Sequence, residues 1–142
     1  MTGLGSPERV TAQARDLETA AWMVDRTRHV VLDRTRAVGW QGRRATQVRT
    51  NVEGIGAELS GIVEALNSTV ATLRRHAEWL EQQRALLANL ERRIRAWIRA
   101  HPPGSGAASN QPDASIVRVL PGPFSPEWQT LATLIRRRGG VF

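Results

Sequence analysis

The residues most able to do chemistry are three histidines, thirteen acidic residues and twenty basic residues, with no cysteine among them. His29, His76 and His101 fall in separate regions, and no HExxH, G-x-S-x-G or Gly-rich phosphate motif occurs. Without cysteine there is no disulfide, thiolate metal site or cysteine nucleophile. Glu78 and Glu81 lie one helical turn apart, but such carboxylates on an Arg-rich helix usually form surface ion pairs. We therefore expect no enzyme, no catalytic or metal site and no cofactor.

The basic residues point to a different chemistry, contact with phosphate or another acidic surface. All twenty are Arg, a bias we ascribe first to a GC-rich genome of the actinobacterial kind, and the formal charge is +7. Residues 1 to 73 hold nine Arg against eight acids, and residues 74 to 142 hold eleven against five. With Trp97 available for stacking, phosphates could be contacted by Arg74, Arg75, Arg84, Arg92, Arg93, Arg95 and Arg99. The candidate basic patch is Arg92, Arg95, Arg99, Arg136, Arg137 and Arg138. A solvated helix face, or the dipole at a helix C-terminus, explains the same residues without a ligand.

Helices must position these residues, because only 5% of the chain is aromatic and its apolar residues recur at helical spacing. Ser6-Pro7-Glu8 has the residue types of a helix start. Apolar residues then follow in steps of three, four or seven as far as Val38, with interruptions at Arg28 and Thr35. A first helix is therefore predicted from about residue 7 to Ala37.

A second, longer helix is predicted after the Gly39-Trp40-Gln41-Gly42 segment, whose glycines can turn the chain. Its heptad seam runs from Ala45 to Ile98 and meets no proline before Pro102. At ~1.5 Å per residue, helices of about 31 and 58 residues span roughly 46 and 87 Å. The overhanging half of the second seam must be covered by another chain, by the C-terminal tail or through a break in the helix. The weak points for a break are Gly54, Gly56, Gly61 and Asn67-Ser68.

The predicted fold class is all-α, with three regions along the chain. Residues 1 to 101 form a long antiparallel helical hairpin, residues 102 to 124 form a Pro/Gly-rich linker, and residues 125 to 142 form a basic C-terminal helix and tail. The last helix begins with Ser125-Pro126-Glu127. Its predicted apolar face comprises Trp128, Leu131, Leu134 and Ile135.

The aliphatic seams are the predicted partner interface, because apolar stripes that exceed the contacts within one hairpin bury themselves against other helices. Arg28 and Thr35 interrupt the first seam and are expected to help select the partner. The interface residues are Val10, Leu17, Val24, Val31, Val48, Val52, Ile55, Leu59, Ile62, Leu66, Leu73 and Leu80.

The Trp40-Gln41-Gly42 turn between two amphipathic helices resembles the W-x-G motif of the WXG (ESAT-like) family, small helical-hairpin proteins of bacterial type VII secretion systems. The resemblance covers about residues 6 to 100 and leaves the C-terminal 42 residues outside it. It implies that Trp40 and Gly42 shape the bend, and that hairpins pair into a four-helix bundle as homodimers or heterodimers. The alternative is that Trp40 is a core anchor at an ordinary helix turn.

The chain departs from the family pattern in its export signal. Many type VII substrates or their partners carry Tyr-x-x-x-Asp/Glu after the second helix, and this chain has no Tyr. A partner would then supply the signal, or the chain is not exported. The first ten residues also lack the basic and apolar regions of a signal peptide, and no run of about 18 apolar residues predicts a membrane span. The resemblance implies a protein that is cytoplasmic before export by a type VII system.

These observations predict a non-enzymatic interaction protein that dimerises through its aliphatic seams. The resemblance implies a type VII substrate, co-substrate or targeting partner, paired with another helical hairpin or with a larger secreted effector. One alternative is a basic coiled-coil protein that binds nucleic acid, the less favoured partner, or another acidic surface through its Arg-rich second half. The other is a structural coiled-coil subunit in which the long second helix is the functional part.

Overall fold

The computed structural model describes residues 5–39, 41–101 and 120–142, and within them the fold is all-helical. Helix α1 spans Pro7–Ala37, helix α2 spans Arg43–Ala100, and helix α3 spans Glu127–Arg137. The limits of α1 agree with the prediction, and the 58 residues of α2 match the predicted length. The predicted linker lies outside the described residues between positions 102 and 119.

The chain divides into two compact units, and the division falls inside α2. The first unit is Pro7–Ala77, which contains α1 and the beginning of α2. The second unit comprises Met1–Ser6 and Glu78–Phe142, and it contains the rest of α2 together with α3. Each unit has its own packing.

In the first unit α1 lies against α2 in antiparallel order. A Cβ built on Gly56 would be 3.1 Å from Cδ2 of Leu32, and the Arg74 guanidinium donates to the Glu18 carboxylate at 2.8 Å. The ion pair is about half exposed and adds little to stability. Apart from Pro7, the buried positions are mostly small, namely Ala14, Ala21, Ala45, Gly56, Val70 and Ala77. Small residues leave room for side chains of the facing helix, as Gly56 does for the Leu32 side chain.

The buried stripe of this unit departs from the strict heptad that the sequence pattern predicts. Val31 is exposed while Leu32 is half-buried. On α2 Gly56 is buried and Val63 is half-buried, whereas Ile55 and Ile62 are about half exposed. An α-helix has 3.6 residues per turn, so a seven-residue repeat rotates by about 20° per heptad. The repeat therefore drifts off the contact line, and the neighbouring residue takes its place.

Helix α2 passes through its predicted weak points without a break. Gly54, Gly56, Gly61 and the Asn67-Ser68 pair all lie inside the helix. The overhang is therefore covered in another way. In the second unit α3 packs on the last third of α2 and forms a core of Leu87, Ile94, Trp97, Trp128, Ala132 and Ile135. The sequence pattern leaves open whether another chain, the C-terminal tail or a break in α2 covers this part of the seam. The C-terminal helix α3 covers it.

The buried face of α3 differs from the prediction at one position. Trp128 and Ile135 are buried and Leu131 is half-buried as expected, but Leu134 is exposed and Ala132 is buried in its place. The three buried residues are four and three positions apart, which is the spacing of a single helical face. Leu134 lies beside that face, so the predicted face was too wide on one side.

A tight turn leads into α3 and is held by the Trp128 indole. The Ser125 N–H donates to the Gly122 carbonyl at 3.2 Å, and the Trp128 Nε1–H donates to the same carbonyl at 2.9 Å. Phe124 inside this turn has a φ of 57°, a left-handed conformation that costs a non-glycine residue about 1 kcal/mol. Its ring lies beneath the Arg84 guanidinium, at 5.2 Å from the ring centroid. The cation–π contact offsets part of that cost.

We predict that replacing Gly54 or Gly61 by Ala stabilises the protein by about 1 kcal/mol each, because Ala is the better helix former and both positions face open space. Gly56→Ala gains the same propensity but pushes against the Leu32 side chain, so its net gain is smaller. Urea unfolding followed by circular dichroism measures all three. Equal stabilisation by Gly56→Ala and Gly54→Ala would contradict the close approach of α1 to α2 at this point.

Candidate interaction surfaces

The first unit carries an apolar row that its own packing leaves exposed. The row consists of Met23, Val30, Val31, Val38, Val48, Ile55 and Ile62, each with more than a third of its surface accessible. Val48, Ile55 and Ile62 follow one another at seven-residue steps on α2, and Val31 and Val38 do so on α1. Single exposed apolar residues are common on proteins, but a continuous row marks a surface that another molecule can cover.

Two shallow depressions show that the α1 and α2 parts of the row lie on the same side of the unit. One joins Val38 on α1 to Val48 on α2, with Arg34 and Arg49 at its edge. The other joins Met23, Val24 and Thr27 to Leu59. Leu59 is half-buried and lies within one helical turn of both Ile55 and Ile62. The row therefore forms a single apolar strip across both helices.

The twelve predicted interface residues divide into three groups by exposure. Val31, Val48, Ile55 and Ile62 belong to the exposed row, and Leu80 is buried in the second unit. The half-buried group consists of Val10, Leu17, Val24, Val52, Leu59, Leu66 and Leu73. Only the exposed row, with the edges of the half-buried residues beside it, is accessible to a partner.

The two polar residues that interrupt the first seam form side-chain hydrogen bonds within α1. Arg28 is half-buried and donates through Nη2 and Nε to the Asp25 carboxylate at 2.9 and 3.2 Å. Thr35 is half-buried and donates its hydroxyl to the Val31 carbonyl at 2.8 Å. These bonds allow both side chains to face the packed side without leaving a buried polar group unsatisfied.

The turn between α1 and α2 depends on glycine at its second predicted position. Gly42 has a φ of 108°, and its carbonyl accepts the Thr46 N–H at 3.1 Å as the first hydrogen bond of α2. L-residues rarely adopt this φ, so the requirement for glycine is conformational. Trp40, the other residue of the predicted turn motif, lies outside the described residues.

We predict that Gly42→Ala lowers the free energy of unfolding by about 1–2 kcal/mol, because the backbone must leave its positive φ or carry the strain. Gly39→Ala is the matched control, since Gly39 lies in the same turn without a positive φ and an added Cβ would meet open space. Chemical unfolding of both variants gives the comparison. Equal destabilisation would show that the turn does not rely on the Gly42 conformation.

The tryptophan expected to accompany the basic residues is not exposed for stacking on bases. Trp97 is only 7% exposed, belongs to the core of the second unit, and stacks on His101 at a centroid distance of 5.1 Å. The Arg95 Nε donates to Glu91 at 2.9 Å, and the Arg95 guanidinium lies 5.4 Å from the Trp128 ring centroid. The prediction that Trp97 is available for stacking is therefore wrong, because apolar burial outcompetes exposure for a large indole.

The structure instead brings together two arginines from different helices. The guanidinium carbons of Arg93 on α2 and Arg136 on α3 lie 5.7 and 5.3 Å from the centroid of the same Phe142 ring. The Arg93 Nη2 also donates to the Phe142 carbonyl oxygen at 2.6 Å. The predicted patch includes Arg136, and Arg93 is among the arginines expected to contact phosphate, but the sequence pattern does not pair the two. No spacing in the sequence pairs these two residues, because helix packing alone brings them together.

The histidines do not assemble a site in the described part of the chain. His29 contacts Asp25 within α1, and His101 contacts Trp97 at the end of α2. Among residues 5–39, 41–101 and 120–142, no group of three His, Asp or Glu side chains is placed to hold a metal ion. No helix in those residues is long and apolar enough to cross a membrane.

Comparison with protein-family models, curated proteins and solved structures produced no match to this chain.

Proposed function

We propose that this chain is a non-enzymatic interaction protein, a helical hairpin that pairs with a second helical hairpin through the apolar row of the first unit. The exposed row is the observation that carries the proposal. Covering it with a partner's aliphatic stripe would remove apolar surface from water at ~25 cal/mol per Å². The product would be a four-helix bundle whose new seam lies beside the α1–α2 seam.

The turn supports the same function through its resemblance to the W-x-G motif. Gly42 has the positive φ that a bend between α1 and α2 requires. A glycine-dependent turn between two amphipathic helices fits the WXG-like proteins of type VII secretion. On that basis we propose that the chain acts as a substrate, co-substrate or targeting partner of such a system, and that its partner supplies the export signal.

Charged residues at the border of the apolar row bear on partner choice. Arg34 and Arg49 border the depression between Val38 and Val48. A partner hairpin with acidic residues at the matching height would gain favourable charge contacts at this rim. Such rim pairs contribute more to specificity and association rate than to affinity, so the apolar row supplies the main driving force.

We predict that Ile55→Asp abolishes pairing without unfolding the chain. Ile55 is 52% exposed, so a carboxylate there stays solvated in the unpaired chain but would be desolvated in the complex. The measurement is light scattering after size exclusion, on the chain alone and mixed with the product of a neighbouring helical-hairpin gene, at low and high salt. A dimer or a one-to-one complex that persists in high salt supports the proposal.

Ala57→Asp is the matched control, because Ala57 is exposed on the same helix and lies outside the apolar row. It introduces the same charge two residues away and should leave pairing intact. Circular dichroism of both variants checks that α1 and α2 remain folded. A complex that survives Ile55→Asp, or a chain that stays monomeric in both samples, would overturn the proposed pairing surface.

A further inference from the structure

The second unit contains a cleft between α2 and α3 that the proposed pairing does not use. Its volume is about 300 Å³. Leu86, Leu87, Leu90 and Ala132 supply apolar groups to it, and Asn89, Gln129 and Thr133 supply polar ones. Arg93 and Arg136 also line it. Among the described residues that line this cleft there are two arginines and no acidic residue.

Phe142 holds the two arginines in place beside this cleft. Its ring lies within 6 Å of both guanidinium carbons, and its carbonyl oxygen accepts from Arg93. A cation–π contact uses the face of a guanidinium, whereas the N–H donors lie along its edges. The ring therefore offsets part of the repulsion between two like charges. The edge donors other than the Arg93 Nη2 bond to the Phe142 main-chain oxygen are left for an anion.

The chain reaches this position through a glycine-dependent helix end. Gly139 has a φ of 84° and donates to the Arg136 carbonyl at 3.1 Å, and Gly140 donates to the Ile135 carbonyl at 3.0 Å. This pair of bonds is the Schellman motif. A Cβ on Gly140 would clash with the Ile135 Cγ2 and lie 3.2 Å from the Trp97 Cζ2. The segment after α3 is thus packed closely on the core, which places Phe142 over both arginines.

We propose that this cleft is a peptide-binding site for a segment in which a carboxylate lies next to an apolar side chain. The carboxylate would take the edge donors of Arg93 and Arg136, and the apolar side chain would cover Leu86 and Leu90. Arginine forks suit carboxylates because two parallel N–H bonds match the two oxygens. The apolar half of the cleft is what favours a peptide over a bare anion.

A nucleic acid fits the same cleft less well. Sequence-tolerant binding of single strands relies on aromatic faces on which bases stack. The two core tryptophans of this unit, Trp97 and Trp128, are buried, and both arginines already cover the Phe142 ring. These arginines could still contact phosphates, and the oligonucleotide titration below separates that contact from peptide binding.

The test is a fluorescence anisotropy titration of the full chain with a labelled peptide of alternating Leu and Glu. We expect saturable binding, and we expect the double variant Arg93→Gln/Arg136→Gln to weaken it by about tenfold or more, because both charge-assisted bonds are lost. A labelled peptide of alternating Leu and Gln should bind at least about tenfold more weakly than the Leu/Glu peptide. Both arginines are exposed, so circular dichroism should show an unchanged fold.

The matched control is Arg92→Gln/Arg137→Gln, which removes the same charge from neighbouring exposed positions that do not line the cleft. It should change the affinity by no more than about twofold. Equal loss in the two double variants would overturn the proposal in favour of general charge attraction. Equal binding of the Leu/Gln peptide would contradict the role of the carboxylate in binding. Tighter binding of a labelled single-stranded oligonucleotide would contradict the proposal that the cleft binds a peptide.

Failure here would leave the pairing proposal intact, because the apolar row lies in the other unit.

Discussion

The unequal lengths of the two long helices are the constraint on which the rest of the structure depends. Helix α1 has 31 residues and α2 has 58, so α1 can cover only about half of the longer helix. A long amphipathic helix is stable in water mainly through the burial of its apolar face, so the remainder needs another cover. Helix α3 provides it, with Trp128 as its anchor on Leu87 and Ile94. The second unit forms on the part of α2 that α1 is too short to cover.

Close packing of small residues determines what the first unit leaves outside. Ala14, Ala21 and Gly56 are buried in this unit, whereas Ile55 and Ile62, beside Gly56 and Val63 on α2, remain about half exposed. The heptad repeat also increases the exposure of these residues, since each repeat rotates further from the line of contact between α1 and α2. An apolar row is the consequence, and its residues are too many and too continuous to be incidental surface. The proposed partner, a second helical hairpin, would cover this row with aliphatic side chains of its own.

The two units therefore offer different chemistry on one chain. The first unit offers an aliphatic strip with a basic rim, and the second offers a cleft where two guanidiniums meet apolar groups. Buried area drives the first kind of contact, whereas charge and hydrogen-bond geometry select in the second. The two surfaces lie in separate units of the chain.

Local physics in the sequence determined the helices themselves. The Ser6-Pro7-Glu8 start and the Gly42 turn mark where α1 and α2 begin, and no proline interrupts the chain from residue 8 to residue 101. Such backbone preferences act within a few residues. Periodicity also identified the apolar side of each helix. Tertiary packing decided the rest. Whether Val31 or Leu32 is covered, whether Trp97 is buried or available, and whether Arg93 meets Arg136 all depend on the rotation and distance of a neighbouring helix. Those quantities arise from contacts between residues far apart in the chain, which no spacing along it encodes.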